Sequence, residues 1–162
     1  MSGITFSKFG DWTKAGMVLQ SLTDRMNPEF VAQLTEDGDL ILKALNDHID
    51  SQDLGWTPLS PHTIALKGGD ETIYVETGTL RNGLSVRKVR STANGITIFV
   101  GASAWKSHSP SGQSLNKIML WMEYGTDKQP PRPLVRPTWD EVKPTIIQNL
   151  SAILPEIIRG VR

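Results

Sequence analysis

The chain of 162 residues contains no cysteine, so disulfides, thiolate metal sites and cysteine nucleophiles are all excluded. That composition suits a protein made in a reducing cytoplasm. Histidine occurs three times, as His48, His62 and His108, in three different predicted segments, and no pair has metal-ligand spacing. In Asp47-His48-Ile49-Asp50 adjacent helical residues point about 100° apart, so His48 shares no face with either aspartate and reads as a solvated helix end. The chain lacks a Gly-x-Ser-x-Gly elbow and a phosphate-loop lysine-serine signature, which leaves serine hydrolysis and nucleotide binding without positive support. A hydrolase would need His62 or His108 to converge with carboxylates in a pocket. No catalytic, cofactor-binding or metal-binding residue is assigned, and no cofactor is expected. No apolar run approaches the roughly 20 residues that span a bilayer, and Met1-Ser-Gly-Ile-Thr-Phe6 lacks the basic and apolar regions of a signal peptide. A soluble chain with no membrane partner is expected.

What is present is enough apolar residue, 38%, for one folded domain over 1–162. The net charge of zero hides a split: residues 1–79 carry 12 acidic and 5 basic side chains, whereas 80–162 carry 5 acidic and 12 basic. No carboxylate side chain occurs between Glu76 and Glu123. Three explanations compete: neutralisation within the fold, a head-to-tail contact between subunits, or a basic face for nucleic acid.

Apolar spacing predicts N-terminal helices over 1–55. Trp12, Ala15, Val18, Leu19, Leu22 and Met26 form one stripe, and Asn27-Pro28 reads as the start of a second helix running toward Ser51. Gly38 is a candidate break in it. A β-rich core is expected over 56–137, with Ser60-Pro61 capping a short helix and Ile73-Tyr-Val75 as a short β-type run. Leu84–Arg90 and Ile96–Gly101 are expected to pair as an antiparallel hairpin across Asn94-Gly95, with a bulge where alternation fails. The small, polar stretch 102–113 reads as a mobile loop, and Leu115–Met122 as a helix ended by Gly125. Gln129-Pro-Pro-Arg-Pro133 reads as a stiff connector. A C-terminal helix over 138–162 follows, in which Pro144 and Pro155 are expected to kink or divide the pattern. The fold class is α+β, a small antiparallel sheet flanked by N-terminal helices and a long C-terminal helix.

Arg81, Arg87, Lys88 and Arg90 offer sequence-independent phosphate contacts, against the plainer reading of a solvated strand face. With two tyrosines and four phenylalanines, none interleaved with this patch, stacking on single strands has little support. Trp56, Trp105, Trp121 and Trp139 read by default as core. Trp105, in a loop-rich segment, is the preferred interface candidate, because tryptophan supplies large contact area at low entropic cost.

Three blocks carry a resemblance. They are Trp56-Thr-Pro-Leu-Ser-Pro-His-Thr-Ile-Ala-Leu-Lys67, Val75-Glu-Thr-Gly-Thr-Leu-Arg81, and Glu123-Tyr-Gly-Thr126 followed by Arg132-Pro-Leu-Val-Arg-Pro-Thr-Trp139. In order and spacing, from residue 56 to about 160, the chain resembles the neck and tail-completion proteins of HK97-like tailed bacteriophages and the virion morphogenesis proteins of Mu-like phages. It departs from the family habit of an aromatic after Arg-Pro, having Leu134 there. The resemblance implies a non-enzymatic virion protein, made in the host bacterial cytoplasm, that acts by forming a homo-oligomeric ring at the head-tail junction. Hexamer and dodecamer are both compatible. The partners implied are portal, adaptor or head-closure proteins on one face and tail tube or tail terminator on the other, with non-specific contact to packaged DNA. Arg132 and Arg136 are then candidates for intersubunit ion pairs with the acidic half, and with Arg81, Arg87, Lys88, Arg90 and Trp105 complete the candidate assembly interface. The alternative is a nucleic-acid-binding accessory module using the basic strand region 81–90.

Overall fold

The computed structural model of the chain describes residues 12–92, 95–102, 106–108 and 111–159, with side chains described there outside 12–27, 88–96, 154 and 156–159. Helix α1 (Trp12–Ser51) is followed by short helices α2 (Pro61–Leu66) and α3 (Thr79–Gly83). Strands β1 (Leu84–Thr92) and β2 (Gly95–Ala102) come next, then α4 (Leu115–Tyr124) and the long C-terminal α5 (Val135–Arg159). The architecture is α+β, with one antiparallel two-stranded sheet among the described residues.

The N-terminal region is one continuous helix rather than two, and Pro28 lies inside it. Proline there forfeits one backbone bond, but α1 is held by tertiary packing: Leu45 and Ile49 are buried, with Ile41 and Leu42 against the same core. Gly38 does not break the helix either. A Cβ at this position would lie 2.8 Å from Val86 Cγ1 and 3.4 Å from Ile98 Cγ2, so the missing side chain is what lets the hairpin approach α1.

The hairpin forms as expected, in register from Leu84↔Ala102 to Thr92↔Gly95, with the irregularity between Lys88 and Arg90. The shift sets Arg90 opposite Thr97 where Arg87 stands opposite Phe99.

Ile73-Tyr-Val75 is not a strand. Tyr74 has φ 68°, which no strand residue adopts. Its neighbour Ile73 pairs instead with a side-chain amide: Ile73 N donates to Gln52 Oε1 at 2.8 Å, and Gln52 Nε2 donates to Ile73 O at 2.9 Å. The ends of 102–113 are also tied, since Ser107 bridges Ser114 and Leu115 N donates to Lys106 O at 2.9 Å.

Helix α5 runs unbroken through Pro144 and Pro155. Leu134, Thr138, Val142 and Ile146 are buried at every fourth position, and that ladder continues past Pro144, which sits on the exposed side. Polar contacts tie α5 to α1. Asn149 Nδ2 donates to Asp37 Oδ1 at 2.7 Å, where Gln33 Nε2 also donates. No helix among the described residues is long and apolar enough to cross a membrane.

Candidate assembly face

The first and third sequence blocks are joined by side-chain bonds to main chain, and Tyr74, just before the second, bonds into the same place. Arg132, 5% exposed, donates from Nε to Thr57 O at 2.7 Å and from Nη2 to Pro58 O at 3.0 Å. Its own carbonyl accepts from Tyr74 Oη at 2.6 Å, and Trp56 Nε1 donates to Pro133 O at 2.6 Å. The Trp56 and Tyr74 rings lie 5.0 Å apart in a tilted pair. Burial, with the Glu123 charge adding to it, pushes the Tyr74 phenol far above its ordinary value, so it stays a donor. Arg132 is thus an internal clamp, and its guanidinium is spent on two carbonyls of its own chain rather than set out as an ion-pair partner.

Glu123 closes the knot. Its Oε2 accepts from Leu134 N at 2.8 Å and Val135 N at 2.9 Å, and its Oε1 from Arg136 N at 3.0 Å. These are amides that the start of α5 cannot satisfy internally, and the positive end of the helix dipole favours a carboxylate there. Helix α5 has no acidic residue in its own first turn, so the last turn of α4 supplies the charge. Gly125 permits the return: at φ 78°, a Cβ would stand 2.9 Å from Pro131 N and 3.0 Å from Gln129 O.

The remaining predicted interface residues divide. Arg81 makes a bidentate pair with Asp50, Nε to Oδ1 at 2.7 Å and Nη2 to Oδ2 at 2.5 Å. That pair holds the Asp50 carboxyl below, and the Arg81 guanidinium above, its ordinary value. Here a residue of the basic half meets one of the acidic half inside a single chain. Arg87 and Arg136 are exposed, Lys88 and Arg90 occupy β1, and Trp105 lies outside the described residues.

His48 is not at a solvated helix end. It is 8% exposed, with Nδ1 2.8 Å from Asp53 Oδ1 and Nε2 3.0 Å from Glu141 Oε2. The second contact lies off the line of a hydrogen bond. The hydrogen bond from His48 holds the Asp53 carboxyl below its ordinary value. Among the tryptophans, Trp56 is core, whereas Trp121 and Trp139 are exposed rather than buried.

A groove of about 480 Å³ runs between α2, the 72–80 segment and α4. His108 is buried on its wall, with Nδ1 3.1 Å from Ser111 Oγ and Nε2 3.2 Å from Thr77 Oγ1 and 3.6 Å from Glu76 Oε2. A histidine does meet a carboxylate here, but the serine hydroxyl also accepts from Gln113 N within the turn that Gly112 N closes onto His108 O. The hydroxyl braces its own turn, and a nucleophile needs to be presented to a substrate. No cluster of three potential metal ligands occurs among the described residues.

Large apolar side chains on the two helices beside the knot are exposed. Leu120 and Tyr124 on α4 are exposed, as are Val135 and Trp139 on α5. Each pair is spaced by four residues and so shares a helix face, and Glu123 fixes the end of α4 against the first turn of α5. Sequence reasoning did not assign Glu123 its role. The available signal for Glu123 was its isolation, as the first carboxylate after 46 residues without one.

An α+β fold with an internally clamped proline connector is the class these observations define. No family model, no curated protein and no solved structure matches the chain.

Proposed function

We propose that the chain is a structural component of a tailed-phage virion, a neck or tail-completion protein that works by ring assembly between head connector and tail tube. The observation that carries this reading is the joining of the first and third resembling blocks in one hydrogen-bonded knot, into which Tyr74, the residue before the second block, is also bonded. A protein of this kind acts by shape and adhesion, without turnover. Identical subunits make heterologous contacts that close by rotation, and the two ring faces meet different neighbours. Native mass spectrometry and negative-stain imaging of the purified protein test the reading: a closed oligomer is expected. A strict monomer at every concentration rejects autonomous ring formation.

A second reading, nucleic-acid contact through β1, draws support from the exposed Arg87 on a strand whose sequence also carries Lys88 and Arg90. It requires DNA binding by the monomer that falls steeply with salt.

A further inference from the structure

We propose that His48 is a proton-operated latch between α1 and α5, closed when both ring nitrogens carry hydrogen and released when one does not. The latch goes beyond the ring reading and does not depend on it. His48 is buried near the end of α1, with Asp53 of the following turn 2.8 Å from Nδ1 and Glu141 of α5 3.0 Å from Nε2. Both carboxylates are more than half exposed, whereas the ring between them is not.

The hydrogen positions follow from the acids. The Asp53 carboxyl is held below its ordinary value by the hydrogen bond from His48, so at neutral pH it is ionised and can only accept. Nδ1 must therefore carry the hydrogen of that bond. A neutral imidazole has one N–H, which leaves Nε2 as a bare lone pair facing a Glu141 carboxylate oxygen at 3.0 Å. Two acceptors at that distance repel, and a buried nitrogen without a hydrogen-bond partner is costly as well. A second proton removes both problems, because the imidazolium donates from each nitrogen and Glu141, 64% exposed, has room to turn into line.

The surrounding charges leave this arrangement to the two acids. On α1, Asp47 is paired with Lys43 and Asp50 with Arg81. On α5, Arg136, Asp140 and Lys143 are exposed and lie about 100° or more around the helix from Glu141. Among the described residues, Asp53 and Glu141 are thus the ion-pair partners of His48, one on each side. Histidine is the side chain that ordinarily changes charge between about pH 5 and 8. Only the imidazolium ties Asp53 and Glu141 together, so the link from α1 to α5 is present in mild acid and is lost as pH rises.

The test compares Glu141→Gln and Asp140→Asn in the full chain by urea unfolding at about pH 5.5 and about pH 8.5, on either side of the ordinary histidine range. Each removes one charge from an exposed position of α5, and only Glu141 contacts the ring. Glu141→Gln is expected to lower the folding constant on the order of threefold at the lower pH and to leave it undiminished at the higher. Asp140→Asn is expected to show no such difference. Nitrogen NMR of the His48 ring gives a second readout: hydrogen on both nitrogens at the lower pH, and on Nδ1 alone at the higher. A Glu141→Gln loss equal at the two pH values, no loss at the lower one, or a ring with its hydrogen on Nε2 at the higher overturns the latch. None of these results bears on the ring reading, which the oligomeric state decides.

Discussion

The two sides of the molecule are held by different forces. In the knot around residues 56–81 and 122–138, side chains bond to main chain: Arg132 to Thr57 and Pro58, Glu123 to three amides, Trp56 to Pro133 and Gln52 to Ile73. Polar ties of Asn149 and Glu141 link α5 to α1, but in the seam where α1 meets the hairpin the closest contact is steric, the notch at Gly38 against Val86 and Ile98. A knot of this kind makes each residue specific, because removing one partner strands a buried polar group. A seam of this kind depends on volume and tolerates exchange that conserves it.

The contrast breaks most visibly at Arg132. Arg132→Ala strands two carbonyls and opens a cavity beneath the connector, and a loss of about 3–5 kcal/mol is expected by chemical denaturation. Arg132→Lys is expected to recover only part of it, since an ammonium cannot reproduce the fork. Full recovery by lysine would mean that charge, not geometry, is what the site needs.

Glu123→Gln comes next. It keeps the shape but removes the charge that faces the start of α5, and about 1–3 kcal/mol is expected to go with it. Hydrogen exchange at Val135 and Arg136 should rise more than exchange at Ile146, because the loss is local to the first turn. Equal increases along α5 would show that the cap does not act locally.

In the seam, Gly38→Ala sets two effects against each other. Alanine favours the helix by about 1 kcal/mol, but its methyl meets Val86 and Ile98, and overpacking costs about 1–3 kcal/mol. A net destabilisation is expected, reversed when Val86→Ala makes room. A simple stabilisation by Gly38→Ala would show that the hairpin yields easily and that the seam is loose.

What could be read from the sequence follows the same division. The hairpin and its bulge were legible because alternation and Asn94-Gly95 are local signals, and the C-terminal helix because its period is long and regular. Ser60 was legible as a cap, and its side chain does accept from Thr63 N. Features that rest on distant residues were not. Pro28, Pro144 and Pro155 read as breaks because proline's local cost is plain, while the packing that overrides it belongs to other segments. Gly38 read as a breaker, although its purpose is the approach of Val86, 48 positions away. Ile73-Tyr-Val75 looked like a strand because its composition cannot show that Gln52 supplies the pairing groups. Arg132 looked outward-facing because a sequence does not show which carbonyls converge on a guanidinium.

The smallest expected effect lies at exposed carboxylates on the borders of the two regions, and it appears only in acid. Asp50 is held below its ordinary 3.8 by the Arg81 hydrogen bond, Asp53 by the His48 hydrogen bond, and Asp70 is brought down to about 2 by bonds from the Thr72 amide and hydroxyl and from Lys67. A carboxyl whose folded value is depressed binds protons more readily unfolded than folded. Its contribution is therefore complete above the ordinary value and is lost as pH falls through the folded one. For Asp70 that window runs from about 4 down to about 2. Stability measured in urea should hence be level from neutral pH to about 5 as far as these groups are concerned, then fall. Asp70→Asn should flatten part of the fall, and Arg81→Ala a separate part through Asp50, the two adding because the sites share no partner. Solvent screening keeps each contribution small. A carboxyl resonance of Asp70 that titrates near 3.8, or an acid limb unchanged in Asp70→Asn, would show that the bonds from Thr72 and Lys67 do not hold that loop in solution.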